Sequence, residues 1–239
     1  MNSIDEEYNL YNIILGSKPF DFMNHGFSPA SRIILDEDLL FSNQITMYLN
    51  MFNDIDIKNK KILEVGCGRG GGISSIAKYL NTKDLYACDQ NKMNIEYCKN
   101  NQKDFINFKQ SDAHFLDYDD NFFDIVLNVE SSHCYDNPEL FFNEVTRVLK
   151  NDGIFLYVDC GKVIHQFYKY FYLFDKIIEE DITKNVMNSC REDSIKFNNM
   201  IDDEQIRDIY VNIANIKFNE YSKSDSQYIK YVAYKDAGK

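Results

Sequence analysis

The stretch Lys60–Gly72, KKILEVGCGRGGG, decides the fold. Its first half is a short apolar strand; its second half holds five of the chain's 10 glycines, at positions 66, 68, 70, 71 and 72. The amphipathic run ISSIAKYL follows at 73–80, so the order is strand, tight turn, helix. Glycine permits positive φ in such a turn and lets a ligand approach bare backbone. The spacing is G-x-G-x-G (Gly66, Gly68, Gly70) rather than the G-x-G-x-x-G that seats a pyrophosphate on a helix N-terminus. Glu64, two residues before the first glycine, would repel a pyrophosphate and favours a cationic or amine-bearing ligand.

Downstream of the turn, strands alternate with helices: LYACD (85–89), a helix near 91–101, FINFKQSD (105–112), FDIVLNVE (123–130), a loop SSHCYDN, a helix over 138–150, the turn Asn151-Asp152-Gly153, and IFLYVDC (154–160). Pro138 at a helix start and Gly153 after its end are the expected punctuation. Continuous apolar strands separated by helices predict a parallel sheet covered on both faces. The alternating QYIKYVAYK (227–235) predicts an antiparallel edge strand. Upstream, 1–16 and 36–53 have helical spacing and flank the aromatic loop PFDFMNHGFSPASR. The chain from 162 to 213 is read as mostly helical, with FYKYFYLF (167–174) as a core-facing helix whose other face lines the pocket. The expected division is a helical cap segment, 1–58, and a ligand-binding domain, 59–239, with a helical lid insertion at about 182–213.

With 239 residues and 44% hydrophobic content, the chain suits one α/β domain with an appended helical piece. Lys plus Arg number 26 against 38 Asp plus Glu, a net charge of -12, which argues against nucleic acid as a partner. The acidic start MNSIDEEYNL does not read as a signal peptide, and no apolar run approaches the roughly 20 residues of a membrane helix. A cytoplasmic location is expected. The 6 cysteines form no C-x-x-C pair and read as buried thiols, and no cluster has metal-ligand spacing.

Acidic residues end four successive strands or their turns: Glu64, Asp89, Asp112 and Glu130. Asp89, 23 residues past Gly66, belongs beside the glycine turn, where a carboxylate binds two ribose hydroxyls. Asp112 is placed to accept from an exocyclic adenine amine. The candidate ligand-binding set is Glu64, Gly66, Cys67, Gly68, Gly70, Asp89, Gln90, Asp112, Ala113, Asn128, Val129 and Glu130. Such a crevice suits a ligand with a ribose, an adenine, an amine and a cationic centre, which S-adenosylmethionine combines.

Through EVGCGRGGG, the acidic end of YACD, the SDA segment and FDIVLNVE, residues 60–160 resemble the class I S-adenosylmethionine-dependent methyltransferases. The run NVESSHCYDNPELFFNEVTRVLKNDGIFLYVD and EEDITKNV (179–186) are similar to the small-molecule methyltransferases of macrolide sugars and phthiotriolone-type lipids. SDA replaces the usual GDA, and Asn-Asp-Gly replaces a Pro-Gly-Gly turn. The resemblance implies a doubly wound, Rossmann-like, seven-stranded sheet and methyl transfer to a hydroxyl of a small-molecule acceptor. His133, in the loop after the fourth strand, is the candidate base, since a neutral imidazole takes up a proton near neutral pH. Glu130 is placed to order the loop or a substrate amine, and His25 to line the acceptor pocket; His114 and His165 have no partner pattern. N- or C-methylation, and a catalytically inactive binding module of the same fold, stay open as alternatives, as does the oligomeric state, a homodimer included.

Overall fold

The computed structural model describes residues 3–29, 35–36, 39–160, 167–223 and 226–236; His165 lies outside them. A seven-stranded sheet forms the centre: β1 (Ile62–Val65), β2 (Leu85–Asp89), β3 (Asn107–Gln110), β4 (Phe123–Val129), β5 (Leu149–Cys160), β6 (Lys176–Asp181) and β7 (Tyr228–Tyr234), in the order β3-β2-β1-β4-β5-β7-β6. The pairs from β3 through β5 are parallel, while β7 runs antiparallel to both neighbours, β5 and β6. Strand order reverses at β1, so the carboxyl ends of β1 and β4 flank the crevice where such sheets bind ligands.

Both faces of the sheet are buried. Ile62, Ile125 and Leu127 join one apolar cluster and Leu63, Val65 and Val126 the other, which is why these strands are continuously apolar rather than alternating. Helices α1 (Ser3–Leu15), α3 (Gly71–Tyr79), α4 (Lys92–Asn101) and α5 (Pro138–Val148) match the expected periodicity to within a few residues, while α2 (Ser42–Met51) is shorter than the 36–53 read for it. Asn91 and Asn137 cap α4 and α5 by accepting from Asn94 N and Leu140 N.

Three features differ from the sequence reading. The expected turn Asn151-Asp152-Gly153 lies inside β5, which begins at Leu149 directly after α5 instead of at 154. The antiparallel strand β7 is one place in from the edge, buried along almost its whole length, and the outermost strand is β6, from a stretch read as helical. KIIEED serves there because an edge strand tolerates charge and exposure on its open side. The aromatic stretch forms a 3-10 turn, Tyr168–Leu173, and none of its described side chains lines either of the two site cavities. Phe167 instead stacks on Tyr231 and Tyr157, with ring centroids 4.4 and 5.0 Å apart.

Between β6 and β7 the chain makes a helical hairpin, α6 (Thr183–Met200) and α7 (Glu204–Tyr221). The loop 19–27 is seated between this hairpin and the sheet: Ser189 Oγ donates to His25 O, and Tyr210 Oη to Phe22 O. Among the described residues, no helix is long and apolar enough to cross a membrane.

Candidate active site

The turn after β1 takes three positive φ angles: 74° at Gly66, 52° at Gly68 and 79° at Gly70. A Cβ on Gly66 would run into the Ser131 hydroxyl and Tyr135 Oη, whereas one on Gly68 would meet nothing nearer than Met23 Sδ at 3.8 Å. Gly66 is therefore required by packing, and Gly68 leaves open space in front of the backbone. Asp89 at the end of β2 reaches that space: its Oδ2 accepts from Gly68 N at 2.9 Å and its Oδ1 from Asn91 N at 2.8 Å.

A cavity opens over this turn at the carboxyl ends of β1, β2 and β4. Of the sequence candidates, Gly66, Cys67, Gly68, Asp89, Gln90, Asp112, Ala113, Val129 and Glu130 line it. Glu64, Gly70 and Asn128 do not. Glu64 is fully buried, with Oε2 accepting from Ile73 N at the start of α3, and burial pushes its carboxyl up to about 8 despite hydrogen bonds from Tyr48 and Ile73. Gly70 is the N-cap of α3, and Asn128 Nδ2 donates to Val65 O and Tyr135 Oη beneath the floor. Residues without a sequence motif, including Tyr8, Asp21, Met23 and Cys134, complete the wall. They come from α1, the aromatic loop and the β4 loop, and only the tertiary fold brings them together.

The wall carries five carboxylates, from Asp21, Asp89, Asp112, Glu130 and Asp136. Among the described residues its one Lys or Arg is Arg69, whose guanidinium is already bound to Asn12 Oδ1 and to the carbonyls of Gly16 and Lys18, at 2.8 to 3.0 Å. The donor set fits a ligand with ribose hydroxyls, an amine and a positive centre, and offers no free cation to a pyrophosphate.

A second cavity of about 430 Å³ adjoins the first, sharing Tyr8, Phe22, Met23, Asn24 and Cys134 with it. Its wall is mainly apolar, from the loop 19–27 and the α6–α7 hairpin, and it contains both His25 and His133. His25 N donates to Glu130 Oε1 at 2.8 Å, and burial drives the His25 ring down to about 3, so it is neutral. Glu130 sits at φ 49°, in the left-handed region, and burial raises its carboxyl to about 7 against hydrogen bonds from Tyr228 and His25.

His133, in the 3-10 turn Ser132–Cys134, is paired with Asp159, a residue absent from the sequence candidates. His133 Nδ1 lies 2.9 Å from Asp159 Oδ1, while Asp159 Oδ2 accepts from Ser132 Oγ at 2.8 Å and from His133 N at 3.1 Å. Burial of the ring works against its charged form, but the Asp159 carboxylate outweighs it and pushes His133 up to about 11; the same pairing holds Asp159 below the usual carboxylate range against its own burial. The available signal for Asp159 was one acid in the otherwise apolar IFLYVDC. His133, Asp159 and Cys160 also form the one set of three metal-capable side chains among the described residues, with ligand atoms within 4.8 Å, but the Asp159 oxygens are already taken by Ser132, His133 and Cys160 N. His114 bonds to Asp112, with Nδ1 2.8 Å from Oδ1.

Residues 63–157 match the model of the methyltransferase domain family. Over this segment the chain is similar to that family, and the strand order and the acidic crevice agree with it. The chain is 39% identical over 142 residues to a fatty-acid O-methyltransferase of Mycolicibacterium smegmatis, covering 58% of this chain and 52% of that protein. It is 40% identical over 116 residues to a probable phthiotriol/phenolphthiotriol dimycocerosates methyltransferase of Mycobacterium ulcerans, covering 48% of this chain and 45% of that one. The match thus spans about half the length of these curated relatives. Among solved structures, a phosphoethanolamine N-methyltransferase of Haemonchus contortus bound to S-adenosylmethionine aligns with TM-score 0.72 at 17% identity, over 97% of this chain and 57% of that one. The [4+2]-cyclase SpnF aligns with TM-score 0.71 at 17% identity, over 98% and 96%. At such identity these neighbours share the fold alone, and a fold hosts more than one chemistry.

Proposed function

We propose that this chain transfers a methyl group from S-adenosylmethionine to an oxygen of a small, apolar, lipid-like acceptor, a hydroxyl group held in the second cavity. The observation that carries the reading is the His133–Asp159 pair, set in the wall of an apolar chamber that adjoins the acidic crevice. The named activity of the Mycolicibacterium smegmatis relative, a fatty-acid O-methyltransferase, supports an oxygen acceptor on an apolar molecule, and the name of the Mycobacterium ulcerans relative supports an apolar acceptor.

When bound, S-adenosylmethionine supplies an electrophilic methyl on a sulfonium centre. Asp89 takes the ribose hydroxyls, giving up its bond to Gly68 N or sharing its oxygens with it, and Asp112 and Ala113 hold the adenine edge. Gly66, Cys67 and Gly68 leave the backbone bare to the ligand, with Gln90, Val129 and Glu130 completing the wall. Asp159 fixes the His133 ring through Nδ1, which leaves Nε2 to accept the acceptor's proton once the imidazolium has deprotonated. Helix α1, the loop 19–27 and the hairpin, which wall the second cavity, exclude water from the transfer.

The test is incubation with methyl-labelled S-adenosylmethionine and a panel of alcohols, acids, amines and carbon nucleophiles. Label on oxygen is expected. Label on nitrogen or carbon alone would refute the oxygen assignment, and cofactor binding without any transfer would favour an inactive binding module.

A further inference from the structure

The strand order gives the acidic crevice a direction. Its carboxylates follow the ends of neighbouring strands: Asp112 after β3, Asp89 at the end of β2 and Glu130 after β4, with the glycine turn of β1 between the last two. Strand ends step by about 4.8 Å, so a ligand with its adenine edge at Asp112 and its ribose at Asp89 brings its remaining end over Gly66 and Gly68. In S-adenosylmethionine that end is the amino acid. Asp136 belongs to the adenine end, because the His114 ring joins the two, with Nδ1 2.8 Å from Asp112 Oδ1 and Nε2 3.4 Å from Asp136 Oδ1. Two carboxylates of the wall are left for the amino-acid end, Glu130 and Asp21.

Their surroundings differ. Glu130 accepts from His25 N with both oxygens, at 2.8 and 3.1 Å, and His25 Nε2 lies 3.5 Å from Oε2. Asp21 comes from the loop 19–27, which crosses the start of α3 so closely that a Cβ on Gly71 would lie 2.7 Å from Asp21 O and 3.0 Å from Asp21 Cβ. Asp21 Oδ1 accepts from Tyr97 Oη at 2.5 Å, and the Arg69 guanidinium, 3.5 Å from the centroid of the Tyr97 ring, holds that ring in place. Asp21 Oδ2 has no hydrogen-bond partner among the described residues, and the half-buried side chain lines the crevice.

We propose that Asp21 binds the ammonium group of S-adenosylmethionine, with Tyr97 as its positioning residue. This rests on the reading of the crevice as the S-adenosylmethionine site. An ammonium group brings three donors and a positive charge, and a carboxylate fixed at one oxygen and open at the other meets it in a charge-assisted hydrogen bond. Glu130 stays with His25 and ties the loop 19–27 to the end of β4. The amine is present in S-adenosylmethionine and in the product S-adenosylhomocysteine alike, so the contact contributes to binding and not to the rate of transfer.

The experiment is calorimetry on the full chain with S-adenosylhomocysteine and with its deaminated analogue, which keeps the adenine, the ribose and the carboxylate. Wild type is expected to prefer S-adenosylhomocysteine by about 10- to 100-fold, the range of one charge-assisted hydrogen bond. Asp21→Asn is expected to bind S-adenosylhomocysteine more weakly by about that factor and the deaminated analogue as well as wild type does, so that the preference collapses. Tyr97→Phe is expected to reduce the preference in part, and Glu130→Gln to keep it. A merely structural role for Asp21 would weaken both ligands together, and that result would overturn the assignment. So would a preference that survives in Asp21→Asn, or one that only Glu130→Gln removes. Equal affinity of the wild type for the two ligands would overturn it without any variant having to fold. Binding of neither S-adenosylmethionine nor S-adenosylhomocysteine by the wild type would overturn the cofactor reading itself, and the assignment with it.

Discussion

His133 Nδ1 lies 2.9 Å from Oδ1 of the fully buried Asp159, and the pair forms a wall of the apolar cavity next to the acidic crevice. Removing either partner has different consequences. His133→Ala is expected to lower kcat for a hydroxyl acceptor by about 10²- to 10⁴-fold, with cofactor affinity unchanged by calorimetry. An unaltered kcat would show that the ring only shapes the loop.

The same pair sets a pH dependence. His133 is raised above its ordinary 6.5 to about 11, so its contribution to stability is complete below 6.5 and is lost as pH rises toward 11. Asp159 is held low, so its contribution is present above the usual carboxylate range and is lost only as pH falls through its depressed value. Across neutral pH the pair is charged, and kcat/KM for a hydroxyl acceptor should climb with pH as the imidazolium gives up its proton. Asp159→Asn should bring the His133 ring titration, followed by NMR, down to 6.5 or lower; an unmoved midpoint would mean that Asp159 is not the cause.

Glu64 makes a prediction of opposite character, because the buried carboxyl is favoured in its neutral form. Its folded value, about 8, lies above the ordinary 4.5, so its effect on stability is most favourable below 4.5 and worsens as pH rises to 8. Glu64→Gln keeps an acceptor for Ile73 N and should raise Tm at pH 8 while leaving it nearly unchanged at pH 4. A lower Tm at pH 8 would show that the ionised carboxylate is needed at the start of α3.

Arg69 lies within the glycine turn and is 1% exposed, with its guanidinium 3.5 Å from the centroid of the Tyr97 ring. Its bonds to Asn12, Gly16 and Lys18 fasten α1 against the crevice. Arg69→Ala leaves those acceptors unpaired and should cost about 3 kcal/mol of stability, read by urea unfolding. A loss under 1 kcal/mol would mean that α1 is held mainly by other contacts.

How much of this was legible in the sequence follows from the range of the forces involved. The glycine turn, Asp89 and the helix start at Pro138 are local: strand period, turn chemistry and the fixed φ of proline act within a few positions, and they were readable. Glu64 looked like a ligand contact because strand-end position alone does not tell which face of the turn a carboxylate takes; the structure turns it inward onto Ile73 N. Asp159 was missed because its partner is 26 positions away. Strand β6 was misread because its pairing with β7 spans a helical hairpin, and nothing in KIIEED itself encodes that partner.

The account stands on the acidic crevice beside Gly68, and calorimetry with S-adenosylmethionine on the wild-type chain and on Asp89→Ala tests it most directly. Wild type should bind, and the variant, having lost the charged acceptor for two ribose hydroxyls, should bind about 10- to 100-fold more weakly. Equal affinity in the two proteins, or no binding by either, would contradict it.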